Sequence, residues 1–226
     1  MTDDWNTLLA AATWDFADIL EDADPSAPVP SCPGWSVSDL VDHLGGVHQW
    51  AWHAVVAGNP NGEPEAAPSD PQELVGWYAA HAGALRETLA ATGPAAPAWT
   101  FGTEATTGWW LRRQTHETLM HTRDLLDAAG RVEEWAVAPE LAWDGVGEVA
   151  TEFYPRQVRL GRTEPLPATL RLVATDLPDA EPVVIGDAEP VVEVRAPAVD
   201  VLLMLWHRQA SDDPAAAALL ALPIAP

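Results

Sequence analysis

Residues 112–125 read RRQTHETLMHTRDL, with two histidines, a glutamate and three arginines in fourteen positions. On a helix each residue advances about 100°, so residues four apart differ by only ~40° and residues five apart by ~140°. Glu117 and His121 therefore share a face, whereas His116 points away from His121 and reads as a bystander. A metal site in a helix bundle takes further ligands from a facing helix. An upstream helix offers His43, His48 and His53. His43 falls on the face of Leu40, Val47, Trp50 and Ala54, which is expected to face the core, while His48 is turned ~140° from it. His43 is thus the best third ligand. Two imidazoles and one carboxylate suit a divalent first-row metal, zinc first, and three protein ligands leave the open position of a catalytic centre. Against this stands the commoner case: histidines and glutamates on helices are usually just solvated, and E-x-x-x-H alone is a weak signal.

The elements that must position these side chains can be read from periodicity and breakers. Leu8, Leu9, Ala12, Phe16, Ile19 and Leu20 give a first amphipathic helix over 5–22. A proline-rich loop, 25–33, precedes Ser36, which with Asp39 forms a capping-box pattern predicting a helix from Val37 to Ala57, ended by Gly58. The breakers of 59–71 predict a long loop, followed by a third helix over 72–91 and a fourth over 108–130. Beyond Gly130, residues 141–154 look helical. The Val-rich runs 168–176, 181–187 and 190–197 read as strands, and 198–209 as a last long helix before a short helical tail. The expected fold class is α+β: a four-helix bundle over 1–135, then a small α+β domain over 136–226. The strands could line a lipid cavity as in sterol-carrier-like folds, but a small sheet closing an active site is the preferred reading.

Composition narrows the function classes. The 226 residues carry 34 acidic and 11 basic side chains, the latter all Arg, for a net charge of −23. Such a surface repels phosphate backbones and anionic lipid heads, which argues against nucleic-acid and membrane partners. The lack of Lys beside abundant Ala, Gly, Pro and Arg points to a GC-rich genome. No 18-residue apolar run exists, and the acidic start MTDD lacks the basic region of a signal peptide, so a cytoplasmic protein is expected. The single cysteine, Cys32, excludes an internal disulfide and any multi-thiolate zinc finger.

Three segments carry a family resemblance. CPGWSVSDLVDHLGGVHQW, WWLRRQTHETLMHTRDL, and VDVLLMLWHRQ followed by DDPAAA stand in the order in which similar segments occur in the mycothiol-dependent maleylpyruvate isomerase family, whose helical domain is a DinB-like metal-binding four-helix bundle. The resemblance covers most of the chain. It implies metal ligands at His43, Glu117 and His121, the three that helical spacing selects. It also implies an active-site arginine in the last long helix, here Arg208, preceded by His207 where the family usually has Gly. The implied cofactors are Zn2+, or another divalent metal, and mycothiol, a small thiol made nucleophilic by the metal. The implied chemistry is thiolate addition to an electrophilic unsaturated acid. Rotation and loss of the thiolate then make an isomerase, and release of the adduct a transferase. Arg208 would pair with a carboxylate of substrate or thiol.

Other residues have plainer roles at hand. Cys32 stands before a helix start, where a thiol can be activated, but a lone Cys is more often a small buried hydrophobe. Arg112, Arg113 and Arg123 are expected in salt bridges, Asp124 as a partner that orients His121, and Trp35, Trp50, Trp109 and Trp206 in packing. Two rivals remain open: a non-catalytic metal or small-ligand binding member of the fold, and an interaction protein docking a basic partner on its acidic surface.

Overall fold

A computed structural model describes residues 4–226; the acidic start read from residues 1–3 lies outside them. The chain divides into two compact units, Met1–Trp135 and Ala136–Pro226. The first is helical. Helix α1 spans Trp5–Glu21, α2 Val37–Ala57, α3 Leu74–Thr92 and α4 Thr107–Ala128. Helix α1 buries Leu9, Ala12, Phe16 and Leu20 of the expected stripe, leaves Leu8 and Ile19 half-buried, and is capped by Asp4, whose side chain accepts from the Asn6 N–H. The capping box at α2 is present: Ser36 Oγ accepts from the Asp39 N–H, and Asp39 returns a bond to the Ser36 N–H at 2.8 Å. A short 3-10 turn, Pro71–Glu73, leads into α3, so that helix starts two residues later than the periodicity suggests.

Helix α4 holds many polar residues yet is largely buried. It can afford this because Thr115, Thr118 and Thr122 turn their hydroxyls back onto the carbonyls of Leu111, Gln114 and Thr118, at 2.7–2.8 Å, so they enter the interior satisfied. Trp109 and Trp110, at its start, meet Trp50 and Phe101 edge-on at 4.6–5.2 Å. Gly130, with φ +69°, ends the helix in the left-handed region, and the Arg131 N–H donates to the Leu126 carbonyl.

The loop 59–70 has no regular structure but is lashed to α2. Gln49 offers its amide to the Glu65 backbone, accepting from N–H at 2.8 Å and donating to C=O at 2.9 Å. Asp42 accepts from the Ala67 N–H at 2.7 Å, and Trp50 donates to the Pro60 carbonyl at 3.0 Å.

In the second unit, helix α5 (Pro139–Glu148) runs through a π-helical turn, Val149–Phe153, into α6 (Tyr154–Arg159). Periodicity placed the end near Tyr154, before Pro155. The helix continues because proline costs one helical N–H, and the widened turn just before it absorbs the break. Strands β1 (Thr169–Ala174), β2 (Val183–Ile185) and β3 (Val191–Ala196) form a sheet in the order β2–β1–β3, antiparallel to β2 and parallel to β3. Leu170, Leu172, Ile185 and Val194 are among its buried side chains, while Arg171 pairs with Glu193 in the open. Helix α7 (Ala198–Leu205) stops four residues before the expected end, because His207 takes φ +60°; α8 (Pro214–Leu220) follows. Among the described residues no helix is long and apolar enough to cross a membrane.

Candidate metal centre

The site forms where α2 and α4 face each other. Glu117 and His121, one turn apart on α4, present side chains to the same point, and His43 reaches that point from α2. Glu117 Oε1 lies 3.3 Å from His43 Nε2 and 3.5 Å from His121 Nε2, and the two imidazoles meet edge-on at 5.0 Å. One ligand atom from each residue falls within 4.8 Å of the others. Ligand atoms held about 2.0–2.1 Å from a tetrahedral zinc lie roughly 3.3–3.5 Å apart, so the donor set fits the ion in kind, and the two spacings to Glu117 Oε1 fit it in distance.

Each member has a support. Arg113, buried one turn before Glu117, binds Oε2, leaving Oε1 to face the histidines. Burial alone would raise the Glu117 pKa, but the Arg113 charge and the bonds from His121 and His43 overcome it and hold the carboxyl well below its ordinary range. His121 Nδ1 bonds Asp124 Oδ2 at 3.0 Å, which turns Nε2 toward Glu117. Burial would lower the His121 pKa, yet the Asp124 and Glu117 carboxylates outweigh it and lift it to about 9. The His43 ring packs on Trp35 at 4.9 Å, and its side chain stays 36% exposed, so the site opens to solvent on that side. Asp124 is itself fully buried and accepts from Ser31 Oγ at 2.6 Å and from Cys32 Sγ at 3.7 Å. Cys32, His121 and Asp124 also converge, but His121 meets Asp124 through Nδ1, the ring nitrogen other than the Nε2 that faces Glu117.

Beside the centre lies a second polar group. His48 is fully buried, with Nδ1 bonded to Gln114 Oε1 at 2.8 Å and Nε2 3.4 Å from the Tyr78 hydroxyl. Burial depresses its pKa to about 4. Helical spacing had put the core-facing role on His43 and turned His48 elsewhere. The buried stripe of α2 instead runs through Leu40, Leu44, His48 and Ala51, because α2 packs on both α3 and α4 and buries a wide arc. His116 is apart from the cluster, its ring against Trp5 at 5.6 Å.

Arg208 belongs to the second unit, on the turn after α7, where Nη1 donates to the Trp206 carbonyl at 2.6 Å. With His207 it lines a cavity of about 510 Å³. His207 adopts the left-handed backbone that a glycine takes without cost, and its Nε2 donates to the Leu220 carbonyl at 2.7 Å. His207 thus takes a backbone conformation suited to glycine and is tied to α8 by its ring.

Sequence reasoning passed over Ser31, the Cys32–Asp124 contact, and the Gln114–His48–Tyr78 group, since all of these are long-range contacts. The Arg113–Glu117 pair was within its reach, as the same four-residue spacing that joined Glu117 to His121 also joins Arg113 to Glu117.

The sequence profile of the mycothiol maleylpyruvate isomerase N-terminal domain matches residues 7–126, more than half of the chain and the stretch that contains His43, Glu117 and His121. The crystal structure of a mycothiol-dependent maleylpyruvate isomerase superposes with a TM-score of 0.66 at 14% identity, covering 91% of this chain and 88% of the other. That of a histidine-to-alanine mutant of a mycothiol-dependent maleylpyruvate isomerase gives 0.61 at 12% identity, covering 88% and 86%. At such identities the likeness establishes the fold: a DinB-like helical N-terminal domain followed by a small three-stranded sheet with helices. No curated protein matches the sequence. On the profile match, the chain belongs to the mycothiol maleylpyruvate isomerase family.

Proposed function

We propose that the protein is a metal-dependent enzyme using mycothiol as nucleophile, a cis–trans isomerase or S-transferase acting on a small electrophilic unsaturated acid. His43, Glu117 and His121 would hold the ion, zinc first. The observation that carries the reading is the convergence of His43, Glu117 and His121, with Glu117 Oε1 3.3 and 3.5 Å from the two Nε2 atoms, the separation that ligands take on a tetrahedral zinc. When bound, the ion supplies a Lewis-acidic open position at which a small thiol loses its proton and becomes the nucleophile. The chain's own residues do the rest. Arg113 keeps Glu117 ionised and leaves it one oxygen to offer. Asp124 holds the His121 ring with Nε2 inward. The exposed flank of His43 is the side from which thiol and substrate can approach. Arg208 is assigned the carboxylate of substrate or thiol, through its planar fork.

Metal analysis of the purified protein is the direct test. About one equivalent of zinc is expected, lost in His43→Ala and His121→Ala and kept in His116→Ala; equal zinc in all four would overturn the assignment. Turnover of cis-unsaturated acids with mycothiol then separates an enzyme from a protein that only binds metal or a small ligand.

A further inference from the structure

We propose that Ser31 is a positioning residue of the metal centre, acting through Asp124 on His121; the inference rests on the metal reading above. Asp124 is fully buried, and the contacts to its two oxygens divide the work. Oδ2 takes the His121 Nδ1–H at 3.0 Å and the Cys32 thiol at 3.7 Å, while Oδ1 takes the Ser31 hydroxyl at 2.6 Å. Torsions that end in a carboxylate are broad, so a helix residue does not by itself fix the plane of its carboxyl group. Ser31 does so from a loop 93 residues away in sequence. The plane of Asp124 in turn fixes the direction of the Nδ1–H bond and hence the His121 ring. A ring flipped by half a turn would carry carbon where Nε2 now faces Glu117.

The loop that carries Ser31 is suited to the task. The Cys32 N–H donates to the Val29 carbonyl, the Trp35 N–H to the Cys32 carbonyl, and the Val29 N–H to the Trp35 carbonyl, at 2.9–3.1 Å. Pro33 fixes one φ, and Gly34 supplies the positive φ of +88° that the turn requires. The same short loop reaches both histidine arms: Ser31 and Cys32 support His121 through Asp124, and Trp35 packs directly on His43. This gives the Ser-Cys-Pro-Gly-Trp stretch a physical purpose beyond entering α2, and it gives Cys32 a place as an outer contact of the same carboxylate.

The test uses the full chain, with Ser31→Ala and Asp124→Asn as the main variants. Ser31→Thr and Ser31→Val have nearly equal shape and differ in the hydroxyl, so they isolate the hydrogen bond even if the alanine variant folds poorly. Zinc affinity is read by competition with a chelator. In the metal-free protein, the solvent exchange of the His121 Nδ1–H proton is read by NMR. Loss of an outer partner of a ligating histidine weakens metal binding by roughly 10–100-fold. Asp124→Asn is expected within that range. Ser31→Ala and Ser31→Val are expected near its lower end, with faster Nδ1–H exchange, and Ser31→Thr close to the parent in both. Parent-like zinc affinity in Ser31→Ala and Ser31→Val would overturn the proposal, and so would weaker zinc binding with unchanged Nδ1–H exchange. A parent that binds no zinc, but whose Nδ1–H exchange still responds to Ser31, would overturn the metal reading and leave the relay standing.

Discussion

At the scale of single residues, this bundle distributes its imidazoles by burial. His48 is sealed inside with Gln114 and Tyr78, and only its neutral form suits that place. Burial is the main cause of its pKa near 4, opposed by the Gln114 bond and the Glu117 charge and reinforced by His121 and His81. The folded pKa is thus below the ordinary 6.5, and the unfolded chain takes up the proton first. Stability is intact above pH 6.5 and falls as pH drops toward 4. At 1.36 kcal/mol per unit, the full loss is about 3 kcal/mol. Urea titrations at pH 7 and pH 4.5 should register this fall, and His48→Gln should flatten the part that belongs to this group. The two kinds of histidine were only partly separable in sequence. Glu117, His121 and the bystander His116 follow from spacing along one helix. That His48 lies deeper than His43 depends on how wide an arc of α2 is covered, which the chain sets only once α3 and α4 have packed.

At the scale of elements, the close approach of α2 and α3 rests on Gly45. A Cβ there would stand 2.2 Å from the Trp77 ring, which also lies against His81 at 4.8 Å. Replacing a helical glycine by alanine normally gains about 0.5–1 kcal/mol, but overpacking costs typically 1–3 kcal/mol. Gly45→Ala is therefore expected to destabilise by about 1–2 kcal/mol net. Chemical denaturation of Gly45→Ala, Trp77→Leu and the double variant should give strongly non-additive values, the smaller side chain relieving the clash. Additive losses would show that the two helices can move apart freely. The helices themselves were legible because their signals are local: the Ser36–Asp39 box, the Gly58 and Gly130 stops, and the buried stripe of α1. The π-turn before Pro155 was not, since periodicity registers proline as a stop and cannot show that a neighbouring turn widens. Nor could the residues reveal that β1 is the central strand with partners of opposite sense, because pairing lies outside each strand's own pattern.

At the scale of the whole molecule, a charge of −23 sets a background field against which everything else is stabilised. Self-repulsion of this size destabilises the compact state and is screened by salt, whose Debye length falls from about 30 Å at 0.01 M to 3 Å at 1 M. The melting temperature should climb steadily from 20 mM to 500 mM sodium chloride; a flat or falling curve would mean that local ion pairs such as Arg131–Glu134 dominate instead. Cationic anchors are scarce in such a chain, and one of its eleven arginines, Arg113, lies buried on Glu117. At this scale the sequence was informative about kinship while the overall identity to solved relatives is only 12–14%. The segment 59–71 illustrates what sequence motifs cannot convey. Its breakers describe a slack connection, yet the Gln49 amide engages Glu65 as a neighbouring strand would, and Asp42 holds the Ala67 amide. The amide hydrogens of Glu65 and Ala67 are therefore leased to α2. They should exchange with deuterium more slowly than those of a slack connection, at a rate set by how long the α2 side chains stay in place, so the clock of this apparent loop is kept by the element beside it.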